Sequence, residues 1–145
     1  MIKILCVGKI KENYLNELIK DYKSRINKYH KLEIIELKDN PIYEKEIQNL
    51  INNINKTDYN IALDLKGKQF NSIEFAKMID KTLQINSNIT FIIGGSNGLN
   101  DEVRDLCNEV ISFSSLTFPH GLFRGILLEQ IYRSFKINNN ESYHK

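Results

Sequence analysis

Ile89-Thr90-Phe91-Ile92-Ile93-Gly94-Gly95-Ser96-Asn97-Gly98 is an unbroken apolar run closed by three glycines. A run this short, rich in β-branched residues and ended by turn formers, reads as a strand buried on both faces. Its flanks decide what kind of sheet holds it. Upstream, Ile73, Phe75, Ala76, Ile79 and Leu83 recur at helical spacing. Downstream, Asn100 or Asp101 can cap a short helix with Glu102 behind it. The strand therefore sits between two helices.

The same alternation extends outward in both directions. Towards the amino end, Tyr59 to Leu65 reads as a strand ending in Lys66-Gly67-Lys68, and Ile47, Leu50, Ile51 and Ile54 as a helix with Pro41 in its first turn. Before these, Leu32 to Leu37 is a strand, Tyr14 to about residue 28 a helix, and Ile2 to Val7 a strand closed by Gly8. Towards the carboxyl end, Val110 to Phe113 is a fifth strand and Leu122 to Phe135 the last helix. The tail from Asn138 to Lys145 is polar and is expected to be ordered only by a partner. Strands alternating with helices predict a single α/β domain over residues 1–145, with a mostly parallel sheet flanked by helices and ligands at the carboxyl ends of the strands.

Composition narrows the function classes. In 145 residues, 41% hydrophobic content supplies a core without disulfides or structural metal, and 20 basic against 18 acidic side chains leave a net charge of only +2. Any nucleic-acid surface must then be local rather than global. Cys6 and Cys107 stand in apolar surroundings without metal or redox spacing. No apolar run approaches a membrane span, so a cytoplasmic protein is expected, with no metal and no membrane partner.

Three groups of residues suggest chemistry. Gly94-Gly95-x-x-Gly98 leaves a strand and enters a helix, where a backbone can approach a ligand closely; it equally fits a tight turn, and it lacks the order of a dinucleotide or P-loop fingerprint. Ser114-Ser115-Leu116-Thr117-Phe118-Pro119 is an apolar, hydroxylic loop suited to enclosing a flat heterocycle, or an ordinary loop whose Pro119 starts a helix. Neither serine lies in a nucleophile elbow. His120, Arg124, Glu129, Arg133, Tyr143 and His144 form a polar set near the carboxyl end. Arg124 and Arg133 lie nine residues apart on one helix, on roughly opposite faces, so a shared role would need a second chain. His144 is a candidate base or hydrogen-bonding group. His30, between Lys28 and Lys31, reads as a helix-end cation.

Taken in order, Ile93-Gly94-Gly95-Ser96-Asn97-Gly98-Leu99, Ser114 to His120, Glu129-Gln130-Ile131-Tyr132-Arg133 and terminal Tyr143-His144-Lys145 closely resemble the RlmH family. These are SPOUT-class methyltransferases acting on a pseudouridine of large-subunit (23S) ribosomal RNA. The likeness includes Val7-Gly8-Lys9-Ile10-Lys11 and Leu63-Asp64-Leu65-Lys66-Gly67-Lys68 and so covers the whole chain. It implies a homodimer with a C-terminal trefoil knot, which general topology rules would not anticipate. It implies S-adenosylmethionine against Leu63, Gly94, Gly95 and Ser114, Ser115, Leu116, Thr117, Phe118 and Pro119. It also implies that His120, Arg124, Arg133, Tyr143 and His144 hold or activate the target base, with assembled ribosomes as substrate. Ser142 stands where the family tends to carry proline, and Asn138-Asn139-Asn140 where a basic or glycine residue is common, which implies a looser tail.

Two alternatives follow from the same residues. One is a non-catalytic ribosome-binding protein that keeps the fold. The other is a flavodoxin-like nucleotide-binding enzyme, resting on the α/β alternation and the Gly94 to Gly98 turn.

Overall fold

The computed structural model describes residues Met1–Lys145. In chain order the elements are β1 (Ile2–Val7), α1 (Asn13–Asn27), β2 (Leu32–Leu37), α2 (Tyr43–Asn52) and β3 (Tyr59–Gln69). They continue as α3 (Ser72–Ile85), β4 (Ile89–Ile93), α4 (Asp101–Leu106), β5 (Glu109–Ser112) and α5 (His120–Asn138). The five strands form one sheet in the order β2-β1-β4-β3-β5, and every pairing is parallel.

Alternate side chains build two cores. Ile2, Ile4 and Cys6 of β1 join Ile61, Phe91 and Ile111 beneath α1, α3 and α5, which contribute Ile26, Phe75, Ile79, Leu128 and Ile131. Leu5 and Val7 face the other way with Ala62 and Ile92, against Ile47 and Leu50 of α2 and Val103 of α4. Each large side chain so buried contributes about 1.5–3 kcal/mol. A one-residue slip of β1 would exchange its two sets, so register is strongly specified. Local signals close the helices: Asn71 and Glu74 make a reciprocal capping box on α3, and the Asn100 side chain caps α4.

The structure departs from the sequence reading at several boundaries. β3 does not stop at Leu65 but runs to Gln69, because the strand bulges between Leu63 and Lys68, both of which face Ile111 of β5. Gly67 permits this: a Cβ there would lie 2.4 Å from the Ile111 carbonyl carbon. Pro41 lies two residues ahead of α2, whose N-cap is Ile42, rather than in its first turn. β5 is shifted one residue towards the amino end, and α5 extends beyond Leu122 to Phe135 at both ends.

The tail is also corrected: it folds onto its own chain. Glu141 accepts from Lys136 Nζ at 2.9 Å and from the Tyr29 hydroxyl at 2.8 Å, and Tyr143 packs edge-on against Tyr132 with ring centres 5.0 Å apart. Lys136 and Tyr29 hold the Glu141 carboxyl below its ordinary value through these bonds.

Candidate functional site

The sheet order brings two loops together. After β4 the chain crosses over β3 to reach β5, so the segment following β4 and the segment following β5 both lie above the carboxyl end of β3. Between them is a cavity of about 660 Å³. Its floor comes from the strand ends Leu63, Ile93, Ile111 and Ser112; the glycine turn from Gly94 to Leu99 forms one side. Phe113, Ser114 and Leu116 to His120 form the other, with Phe123 behind. The volume lies within the roughly 300–1,000 Å³ usual for small-molecule sites, and the wall is mainly apolar with a few polar groups.

Both walls are held in place. Gly98 N–H donates to the Gly95 carbonyl at 3.0 Å, and Gly98 takes φ +71°, a conformation that favours glycine. Arg104 Nη1 donates to the Leu99 carbonyl and to Asp64 Oδ2, both at 2.8 Å, tying the turn to β3. Hydrogen bonds that Arg104 donates to Asp101 and Asp64 raise its guanidinium above the ordinary value. On the far wall, Ser114 Oγ accepts from Leu116 N–H at 3.0 Å and the Ser114 carbonyl accepts from Ser112 Oγ at 3.0 Å.

Of the cofactor contacts expected from sequence, Leu63, Gly94, Gly95, Ser114, Leu116, Thr117, Phe118 and Pro119 line this cavity. Ser115 does not: it is exposed, because the turn built on Ser114 directs it outward. Asp64, Lys66 and Arg104 also line the cavity and were not singled out. Asp64 and Lys66 fall in the stretch from Leu63 to Lys68 that carries the family likeness, whereas Arg104, inside α4, gave no signal in the sequence.

The polar set divides in two. His120, at the first turn of α5, lines the cavity. Arg124 lies one turn further and is 1% exposed. Its Nη1 donates to Glu36 Oε2 at 2.7 Å and its Nη2 to the carbonyls of Gly8 and Val7 at 2.6 and 3.0 Å. Direct contact with a base is thereby excluded in this arrangement; Arg124 fixes α5 to the ends of β1 and β2 and is a positioning residue.

Arg133, Tyr143 and His144 are together at the other end of α5. Arg133 binds Glu129 at 2.7 Å, which raises its guanidinium above the ordinary value, and lies 4.8 Å from the Tyr143 ring centre. Desolvation and a hydrogen bond with Tyr143 push the neighbouring Tyr22 hydroxyl up to about 12. Arg133 Nη1 is 3.1 Å from His144 Nδ1. Arginine has donors only, so Nδ1 accepts and the neutral ring carries its proton on Nε2. His144 thus presents a donor, not the open base considered from sequence.

His30 is not a helix-end cation. It stacks on Phe135 at 6.0 Å, its Nε2 is buried without a partner, and burial followed by the charge of the terminal amine pushes it below 6.5. Burial raises both thiols, Cys6 and Cys107, to about 11. No group of three or more His, Cys, Asp or Glu side chains is placed to hold a metal ion, and no helix is long and apolar enough to cross a membrane.

A family model described as "Predicted SPOUT methyltransferase" matches residues 1–144. Relatives named ribosomal RNA large subunit methyltransferase H include one from Caldicellulosiruptor saccharolyticus, 42% identical over all of both chains. Others are from Clostridium acetobutylicum and Streptococcus uberis, at 45% and 46% identity over 99% of each chain. Among solved structures, a "probable methylase family protein" from Haemophilus influenzae superposes with TM-score 0.60 at 14% identity, over 99% of this chain and 70% of its own. The SpoU methyltransferase AviRb from Streptomyces viridochromogenes, in complex with AdoMet, superposes with TM-score 0.51 at 12% identity, over 92% and 57%. These two show the fold.

Proposed function

Because the chain belongs to the SPOUT methyltransferase family, we propose that it methylates N3 of a pseudouridine in large-subunit ribosomal RNA, using S-adenosylmethionine, as a cytoplasmic homodimer acting on assembled ribosomes. Methylation of ribosomal RNA follows from the family and the full-length relatives. The observation that supports the finer reading is the cavity over β3, walled by both loops and placed at the carboxyl ends of three parallel strands. In the same reading the chain is knotted where these two loops meet.

The residues present fit S-adenosylmethionine. A Cβ at Gly95 would lie 3.0 Å from Glu46 Oε2 and 3.3 Å from Val7, neither of which lines the cavity, so the glycine lets the turn pack closely on β1 and α2 while it walls the cavity. Phe113, Phe118 and Leu116 would enclose the adenine, while backbone groups of the two loops would read its edge. When bound, the cofactor supplies a methyl group already activated on a sulfonium. The protein then has to align an acceptor nitrogen with it, and positioning of this kind contributes about 7–11 kcal/mol of barrier lowering.

Apart from His120, the residues that would hold the acceptor are not beside the cavity. His120 and Arg133 are 13 residues apart on α5, about 20 Å along the axis. Reacting atoms must approach to about 3–3.5 Å. The tail of a second copy must therefore supply Arg133, Tyr143 and His144 to each cavity. There Tyr143 stacks on the extruded base, with Arg133 against its ring, and His144 Nε2–H donates to a pseudouridine carbonyl. That donor would stabilise the negative charge that builds up on the base as N3 gives its proton to water.

The test incubates the protein and methyl-labelled S-adenosylmethionine with ribosomes from a strain lacking the gene, then maps the labelled nucleoside by mass spectrometry. Label at N3 of a large-subunit pseudouridine is expected; cofactor binding without label would favour the non-catalytic ribosome-binding reading. Shared sites are tested by mixing Gly95→Arg and His144→Ala chains, each inactive alone. Random re-pairing leaves one intact site in half of the dimers, so about a quarter of full activity should return.

A further inference from the structure

A second cavity, of about 360 Å³, lies on the α3 side of the first and shares Ile111, Ser112, Phe113 and Phe118 with it. Nothing in the mechanism above uses it. Its other lining residues are Phe70, Asn71, Ser72, Phe75, Ile126 and Gln130. We propose that this cavity holds an unstacked nucleobase of the substrate RNA, next to the one that is methylated. The proposal rests on the reading of the protein as an RNA methyltransferase.

Four phenyl rings in a cavity this small would ordinarily close into core, yet only Phe75 is fully buried; Phe70, Phe113 and Phe118 remain partly exposed. A partly exposed phenyl ring is a platform for a base of any identity. The polar group among them is placed to read an edge. Ser72 Oγ donates to Gln130 Oε1 at 2.8 Å, so the amide oxygen is satisfied and the Gln130 NH₂ group is left to donate to a base carbonyl or ring nitrogen. Beside the Phe70 ring the charge is positive, while Glu74 bonds the Asn71 rim. Lys68 Nζ is 5.2 Å from the Phe70 ring centre, and Lys66 precedes it on the extension of β3; both are exposed and neither makes an ion pair with a carboxylate, leaving them free for flanking phosphates. The shared wall explains why this would be a neighbouring base: Phe113 and Phe118 stand between it and the methyl-donor cavity. Two bases gripped on either side of one wall fix the strand's register, which a small protein of net charge +2 cannot do by bulk electrostatics.

Phe70→Leu keeps the apolar contact and removes the stacking face; Phe70→Tyr keeps both; Gln130→Leu removes the amide donor. With ribosomes lacking the modification as substrate, Phe70→Leu is expected to raise KM about 5- to 100-fold, the range for loss of one base stack. Phe70→Tyr should restore the wild-type value, and Gln130→Leu should raise KM about 5- to 10-fold. S-adenosylmethionine affinity by calorimetry should not move, since neither residue lines its cavity. Two further results read the fold and the assembly. Unchanged melting temperatures show that the variants fold, and sedimentation separates loss of RNA binding from loss of dimer. A Phe70→Leu protein that folds, binds cofactor and keeps KM within twofold of wild type overturns the proposal and leaves methyl transfer intact. So does a Phe70→Leu protein that falls to monomer, which would mean that a second copy fills the cavity. Absence of label with the wild-type protein refutes the underlying reading instead.

Discussion

Arg124→Ala separates two arginines that share a helix and, by family likeness, a role. The side chain is 1% exposed and makes three hydrogen bonds: one to Glu36 and one each to the carbonyls of Val7 and Gly8. Glu36 is 38% exposed at its side chain, so it regains water when the pair is broken and its share of the loss is small. The two carbonyls are different. Each is left without its donor at the end of a buried strand, at about 1–3 kcal/mol apiece, and the vacated guanidinium leaves a void. The total comes to about 3–5 kcal/mol. For 145 residues the unfolding entropy is about 0.3 kcal/mol/K, so Tm should fall by about 10–16 °C. Arg124→Lys, with one ammonium able to reach one carbonyl, should lose less, and Arg124→Met, which fills space without donating, should fall between Lys and Ala. Calorimetric melting of the three variants measures this directly. A Tm for Arg124→Ala within 3 °C of wild type, or equal losses for Lys and Ala, would refute the buried pin. Arg133→Met, by contrast, should lower turnover with Tm almost unmoved, because its only carboxylate partner is Glu129 one turn away.

The other predictions concern the pocket walls, the tail and pH. Gly67→Ala places a Cβ 2.4 Å from the backbone of Ile111 and must separate β3 from β5; a Tm lower by about 3–10 °C and weaker cofactor binding are expected, and a neutral result would contradict the bulge geometry. Gly95→Arg should abolish S-adenosylmethionine binding measured by calorimetry, since its side chain would start against Glu46 and Val7 and must displace the Gly94 to Gly98 turn that walls the cavity. In single-turnover assays Tyr143→Phe should be mild, Tyr143→Ala severe and His144→Ala severe, all with normal cofactor affinity; equal rates for the three would remove the tail from the site. His30→Phe tests the buried imidazole. In the folded protein it resists protonation, whereas in the unfolded chain it binds a proton below pH 6.5, so stability falls as pH drops through that value. Phenylalanine keeps the stack on Phe135 and removes the titration, so the Tm difference between pH 7.5 and pH 5 should shrink; parallel wild-type and variant curves would show that His30 is not its source.

Strand and helix order was legible because period-2 and period-3.6 patterns are direct records of which side chains face a core, as Ile2, Ile4 and Cys6 against Leu5 and Val7 show. The extension of β3 was not, since Lys66-Gly67-Lys68-Gln69 has the composition of a turn and pairs with β5 only because Gly67 has no side chain to meet Ile111. Helical spacing put Arg124 and Arg133 on opposite faces, but it did not say which face was inward. α5 lies between α1 and α3 and buries one half of its circumference, Arg124 included, while Leu122, Ile126 and Ile137 lie on the other half, so the usual polar-out rule does not apply to it. The tail's order was not legible in its polar composition, because its contacts depend on partners distant in sequence: Asn138 donates to the Ala76 carbonyl, Glu141 accepts from Tyr29, and Tyr143 packs on Tyr132. Ser114 and Ser115 are indistinguishable by type; only the turn around Ser114 separates a lining residue from an exposed one.

These placements have a common consequence for how the activity is divided along one helix. The N-terminal turn of α5 belongs to the cavity, its second turn is pinned by Arg124, and its far end carries the tail. The α5 rod holds His120 and the Arg133 group about 20 Å apart along its axis, so no rotamer change within one chain can close the gap. In the proposed dimer an antiparallel second copy of the same rod would set its tail against the first copy's cavity, and the symmetry would make both sites at once. Damage to the pin should then act on both ends together through stability. Damage to either end should act on chemistry alone and be rescued by a chain damaged at the other.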